Sequence, residues 1–198
     1  MTTTKISRRD QILQVLAAML EKKTVKPVTT AALAAEIKIS EAALYRHFRS
    51  KTDMFNALID FIENTLFSRV SAVMEDKSNA VNRIKHIVHI LLLIVEHNKG
   101  MSRILTREAL ANEDASLHIR VDKMFARLDV QIKQVLKEAI NQESLKTSFA
   151  TAEVSKLILS IPEGLIQQFI RSNFTELPTK IWHNSWKVLS PQIFVKMF

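Results

Sequence analysis

With only two glycines and four prolines among its 198 residues, this chain has almost no material for tight turns. Hairpins and multi-stranded sheets need turn-forming residues about every 8–12 positions, so an all-α fold is the economical solution. An apolar fraction of 47% is enough to drive folding, and the length suits one or two domains around a sizeable core. The absence of cysteine excludes disulfides and thiolate-based zinc sites. The N-terminal MTTTKISRRD lacks the apolar run of a secretory signal. The longest apolar run, Ile90–Val95, falls far short of the roughly 20 residues a bilayer demands. The expectation is a cytoplasmic protein with no membrane partner.

Apolar spacing at three and four residues divides the chain into helices. Residues 7–23 form a first helix capped by Ser7, with Ile12, Val15, Leu16, Met19 and Leu20 inward. A loop covers Thr24–Val28. Thr29 caps a second helix over Thr30–Ile37, and Ser40 caps a third over Glu41–Phe48. Between them Lys38-Ile39 must turn without a glycine, which costs about 1 kcal/mol where a side chain takes positive φ. Ser50 starts a long fourth helix, reaching about Lys77, with a stripe from Phe55 to Val73. Further helices are predicted over 80–97, 99–111 and about 112–140. A polar loop follows over Asn141–Ser148. Thr151 caps a helix to about Ser172 that Pro162 interrupts, and a last helix follows Pro178. The architecture is thus about nine helices, divided into a helix-turn-helix DNA-binding domain at 1–50 and a helical regulatory and dimerisation domain at 51–198.

Function is concentrated between Thr29 and Lys51. Two short capped helices joined by a tight turn are the device that lays a second helix in a DNA major groove. Ser40, Glu41, Ala42 and Ala43 keep the entering turn slim, and Ala43 can meet a thymine methyl. Glu41 can accept from cytosine, while Arg46 can make a two-pronged contact with guanine. Tyr45, His47 and Lys51 suit phosphates, and Thr29 and Thr30 offer hydroxyls and free N–H groups to another. Charge follows the same boundary. Residues 1–52 hold ten Lys/Arg against four Asp/Glu, and the remaining 146 hold eighteen against sixteen. A local basic excess beside a near-neutral domain is the electrostatic footprint of nucleic-acid binding.

The segment SEAALYRHFRSK resembles the recognition helix of TetR-type bacterial regulators, which carry a Leu-Tyr-x-His-Phe-x-x-Lys pattern there. VTTAALAA, SKTDMFNALIDFIE, RILTREAL and RVDKMFARLDVQIKQVLKEA extend the likeness to the SlmA family of nucleoid occlusion factors, over most of residues 7–172. That resemblance implies an all-helical homodimer that binds palindromic double-stranded DNA and antagonises the tubulin-like division protein FtsZ over the nucleoid. It assigns Tyr45, His47 and Lys51 to phosphates. The chain departs from the family pattern at Arg49 (usually Pro), Lys38 (usually Gly), Leu93 (usually Gly) and His97 (usually Arg).

Other features are weaker. Phe61 lies off the fourth helix's apolar stripe and Arg69 interrupts it. Together with Leu93 and His97 they are the candidate surface for an acidic partner peptide in a groove between helices four and five. His86 and His89 stand three apart without a matching carboxylate, so no metal site is assigned. With two glycines a phosphate-cradling loop is excluded, and no enzymatic constellation or cofactor is expected. The two final long helices, rich in Leu, Ile, Phe and Trp, suit a four-helix dimer interface, as a palindromic site requires. The competing reading is a TetR-type ligand-responsive repressor, which needs an enclosed pocket. The many large inward aliphatics argue against one.

Overall fold

The computed structural model describes residues 7–22, 27–143, 145–147 and 149–196. Nine α-helices run over Arg8–Glu21 (α1), Thr30–Ile37 (α2), Glu41–Tyr45 (α3), Lys51–Glu75 (α4), Ala80–His97 (α5), Lys99–Leu105 (α6), Ala115–Gln142 (α7), Thr151–Arg171 (α8) and Pro178–Ile193 (α9) among the described residues. A 3₁₀ turn, Glu108–Leu110, follows α6. Of the loop expected at Thr24–Val28, residues 24–26 lie outside the described residues.

The caps are set by short polar side chains, as the sequence demands. Ser7, Thr29, Ser40, Ser50 and Asn79 each accept the backbone N–H three residues on, satisfying donors that the helix itself leaves free. The turn between α2 and α3 places Lys38 in the left-handed region at φ 59°. Its N–H reaches the Ala35 carbonyl at 3.0 Å and that of Ile39 reaches Ala34 at 3.0 Å, which closes the helix end without glycine.

Several expectations are corrected. The recognition helix is shorter than Glu41–Phe48. Leu44 O accepts from both His47 N (3.0 Å) and Phe48 N (3.2 Å), so the α-helix tightens into a turn after Tyr45. The helix expected over 99–111 stops at Leu105, because Arg107 adopts φ 64° and the chain re-enters as the 3₁₀ turn. The following helix starts at Ala115 rather than near Asn112. Asp114 is its cap, accepting from Ser116 N at 2.8 Å. Pro162 does not interrupt α8. It is buried inside a continuous helix, where packing outweighs one missing hydrogen bond. Thr151 is the first helical residue and Ala150 the cap, its N–H bonded to the Glu153 carboxylate at 3.3 Å. Finally, within the expected loop, β1 (Leu145–Thr147) pairs antiparallel with β2 (Phe194–Lys196), tying the end of α9 beside the end of α7.

One apolar core runs through the molecule. α4 contributes Met54, Phe55, Leu58, Ile59, Ile62, Leu66, Phe67 and Val70, and so passes from the helix-turn-helix into the regulatory layer. α5 and α7 pack beside it, and α8 and α9 close the far side. Polar bonds set the angles between them. Arg120 of α7 reaches Asp60 (2.7 Å) and Glu63 (2.5 Å) of α4. Arg83 of α5 meets Glu138 of α7 at 2.6 Å, and the Trp182 indole of α9 donates to the Lys85 carbonyl at 3.0 Å. The helix-turn-helix is joined to the rest chiefly by α1 lying on α6, where Gly100 brings the two backbones together.

Candidate nucleic-acid interface

Building upward from α2 and α3, the two helices are fastened to each other by polar side chains. Thr30 Oγ1 donates to Glu41 Oε2 at 2.7 Å, and Tyr45 OH donates to Thr30 Oγ1 at 3.5 Å. Thr29 and Ser40 are occupied as caps, accepting from Ala32 N and Ala43 N at 3.1 Å each. The inward side of α3 is Leu44, fully buried, with Phe48 just beyond it. Because Leu44 and Phe48 must face the core, the side chains between them face outward. Tyr45 is 46% exposed, and Arg46, His47 and Arg49 are exposed as well. Ala43 is half-buried, so the entering turn presents little bulk.

Arg46 carries no ion pair or side-chain hydrogen bond among the described residues, and its fork is free to meet a ligand. Tyr45, Arg46, His47 and Arg49 line a shallow concavity of about 380 Å³ together with Arg9, Phe48 and Asp53. Arg9 is the residue that sequence reasoning missed. Its guanidinium stacks 4.1 Å over the Phe48 ring and donates to the His47 carbonyl at 2.9 Å. It thereby brings α1 to the same surface and adds a fixed positive charge. The available signal was the Arg8-Arg9 pair at the start of α1, inside the basic quarter.

Lys51 is placed differently from the other candidates. It opens α4, and its ammonium lies 5.7 Å from the Phe55 ring and forms an ion pair with Glu113, in the turn before α7. Its side chain is 25% exposed and that of Glu113 only 9%. Glu41, the candidate cytosine acceptor, is already engaged by Thr30.

The candidate partner residues do not share one site. Phe61 is 48% exposed and lines a cavity of about 330 Å³ with Asp10, Leu13 and Ala17 of α1 and with Asn98 and Met101 at the α5–α6 junction. That groove is bounded by α1, α4 and α6 rather than by α4 and α5 alone. Arg69 is exposed two turns further along α4, Leu93 is half-buried on α5, and His97 is exposed at the end of α5, beside Asn98. None of those three lines the Phe61 cavity.

Family comparisons match two stretches of the chain. Residues 12–58 match the model described as bacterial regulatory proteins, tetR family, and residues 78–194 match the SlmA-like model, described as tetracyclin repressor-like, C-terminal domain. The nucleoid occlusion factor SlmA of Marinomonas sp. (strain MWYL1) is 43% identical over 195 residues, covering 98% of this chain and 99% of that protein. SlmA of Shewanella amazonensis is 43% identical over 189 residues, 96% of each chain. Among solved structures, PfmR, a TetR family transcriptional regulator of Thermus thermophilus, superposes with a TM-score of 0.77 at 16% identity, covering 91% of this chain and 97% of that one. The ketosteroid transcriptional regulator KstR2 of Mycobacterium tuberculosis gives 0.75 at 18%, covering 98% of each. At such identities the two structures speak for the fold alone. The sequence relatives, alike from end to end, speak for more: the chain belongs to the SlmA family of nucleoid occlusion factors, within the TetR-type regulators.

Proposed function

We propose that this protein is a dimeric, sequence-specific DNA-binding nucleoid occlusion factor. It engages palindromic chromosomal sites and, when bound, antagonises FtsZ assembly so that division does not proceed over the nucleoid. The observation that carries the reading is the outward surface of α3, where an uncommitted Arg46 stands between Tyr45 and His47 with Arg9 and Arg49 alongside. Arg46 reads a guanine, Ala43 meets a thymine methyl, and Tyr45, His47 and the Thr29–Thr30 end of α2 grip phosphates on either side. Lys51 joins them once it leaves Glu113. A palindromic site needs a twofold protein. Leu157 on α8 and Val188 on α9 are exposed apolar residues, and Gly164 leaves open space on α8 for a helix to approach closely. These features support a four-helix interface built from α8 and α9 of two subunits.

For the division partner, the groove beside Phe61 supplies an aromatic wall. Arg69, Leu93 and His97 lie outside that groove and would serve an acidic peptide only as separate contacts beyond it. The regulatory layer is filled by large aliphatics such as Ile87, Leu91, Leu128, Ile132 and Ile158, which favours this reading over a ligand-responsive repressor. None of the helices among the described residues is long and apolar enough to cross a membrane, in keeping with a protein that works in the cytoplasm on the nucleoid. A genome-wide footprint tests the function directly. Many sites, sparse near the replication terminus, are expected; a single site at the protein's own promoter would overturn it. FtsZ polymer disassembly measured with and without a cognate duplex tests the partner, and no effect in either condition would remove it.

A further inference from the structure

Lys51 is a candidate phosphate contact whose charge is already taken. Its partner, Glu113, comes from 62 residues away, in the turn before α7. The carboxylate is 9% exposed and sits in the turn that links α6 to α7. The same turn is held by an ion pair between Arg103 and Glu108 and by a 2.8 Å contact from His118 Nε2 to the Leu110 carbonyl. An ammonium drawn toward a buried carboxylate is pre-neutralised, and a DNA phosphate must compete for it. Space and a second partner exist on the far side. Glu113 borders a cavity of about 280 Å³ between the helix-turn-helix and the regulatory layer, together with Met19, Val28, Phe55 and Arg103. The Arg103 side chain is only 9% exposed, and its Nε is buried with no hydrogen-bond partner. A buried N–H without an acceptor is costly and favours the arrival of one.

We propose that Glu113 is an internal stand-in for the DNA phosphate. In the free protein it holds Lys51 against the regulatory layer. On duplex binding Lys51 passes to the phosphate, and the freed carboxylate turns toward Arg103, moving the α6–α7 turn. This rests on the reading of Lys51 as a phosphate contact. It makes the turn at 106–114 the element through which DNA occupancy is felt outside the helix-turn-helix, and it assigns Glu113 a negative role in affinity.

The test uses a short random-sequence duplex at low salt, since a phosphate contact is blind to sequence. Glu113→Gln should bind about three- to tenfold more tightly than the wild type. In a Lys51→Met background, where the methylene stem over Phe55 is kept, the same change should lose that gain. A gain that persists without Lys51 reports general charge repulsion and overturns the proposal. So does weaker binding by Glu113→Gln, which would make Glu113 a positioning residue for the ammonium, and so does no change. A second measurement needs no variant: amide exchange across residues 106–114 of the wild-type protein should quicken when duplex is added, and slower or unaltered exchange there would refute release of the turn. Failure of the wild type and of both variants to bind any duplex would instead sink the DNA-binding reading itself.

Discussion

Gly100 offers the sharpest test of how the DNA-binding head is joined to the rest. A Cβ added there would sit 2.2 Å from the Ala17 carbonyl oxygen and 3.1 Å from its carbon, with Leu20 Cβ at 3.2 Å. An unstrained contact needs roughly 1 Å more, since carbon–carbon optima lie near ~3.5–4.0 Å. The obstruction is backbone, so no side chain can swing aside; α6 must move off α1 as a body. Opening a packed interface by about 0.5–1 Å forfeits about a quarter to a half of each dispersion contact across it. That interface includes Ala17 and the buried Leu20. Alanine's better helix propensity returns about 1 kcal/mol, against about 3 kcal/mol for overpacking, the upper end of the usual range because the obstruction is backbone. We expect Gly100→Ala to cost about 2 kcal/mol net, lowering Tm by about 4–8 °C for a chain of this size. Thermal unfolding followed by circular dichroism reads it. An unchanged or raised Tm would mean that α1 and α6 are not held at this distance, and the account of the head–body junction would be wrong.

Lys38→Gly removes the left-handed penalty at φ 59° and should stabilise the fold by up to about 1 kcal/mol in urea titration; destabilisation would show that the turn gains more from the lysine than it loses. The hydrogen bond from Arg83 holds the Glu138 carboxyl below the usual glutamate range, burial opposing it. With the folded-state pKa depressed, the stability it adds is complete above the unfolded value near ~4.3 and is lost as pH falls through the lower folded value. Glu138→Gln should therefore be less stable than the wild type at neutral pH and converge with it in acid; a gap independent of pH would refute this. Arg46→Ala should lose about 1–3 kcal/mol of discrimination between sites in competition binding, whereas Lys51→Met should weaken all duplexes alike and reduce the salt slope by about 0.9. If Arg46→Ala lowers affinity equally for every sequence, its base-reading role fails. Leu157→Asp should shift the protein toward monomer in sedimentation equilibrium, and an unaltered dimer would move the interface elsewhere.

Much of this architecture is written locally. Ser7, Thr29, Ser40, Ser50 and Asn79 announce their helices because a hydroxyl or amide at that position captures a free backbone donor whatever the surroundings. Leu44 and Phe48, four apart, dictate that Tyr45, Arg46 and His47 face solvent, so the candidate DNA-reading surface follows from spacing alone. The rest depended on contacts between distant residues. The scarcity of glycine points to a helical fold, yet both glycines lie inside helices, and among the described residues the left-handed turns fall to Lys38, Arg107, Asn173 and Phe174. Arg107 ended α6 early and Pro162 failed to end α8, because tertiary packing outweighs a local preference of a few kcal/mol. Arg9 joined the α3 surface, and Lys51 was drawn off it, through partners 38 and 62 residues away along the chain. Helical period and capping act within one turn and are visible in a string of letters; which cation meets which carboxylate is decided only when the helices pack.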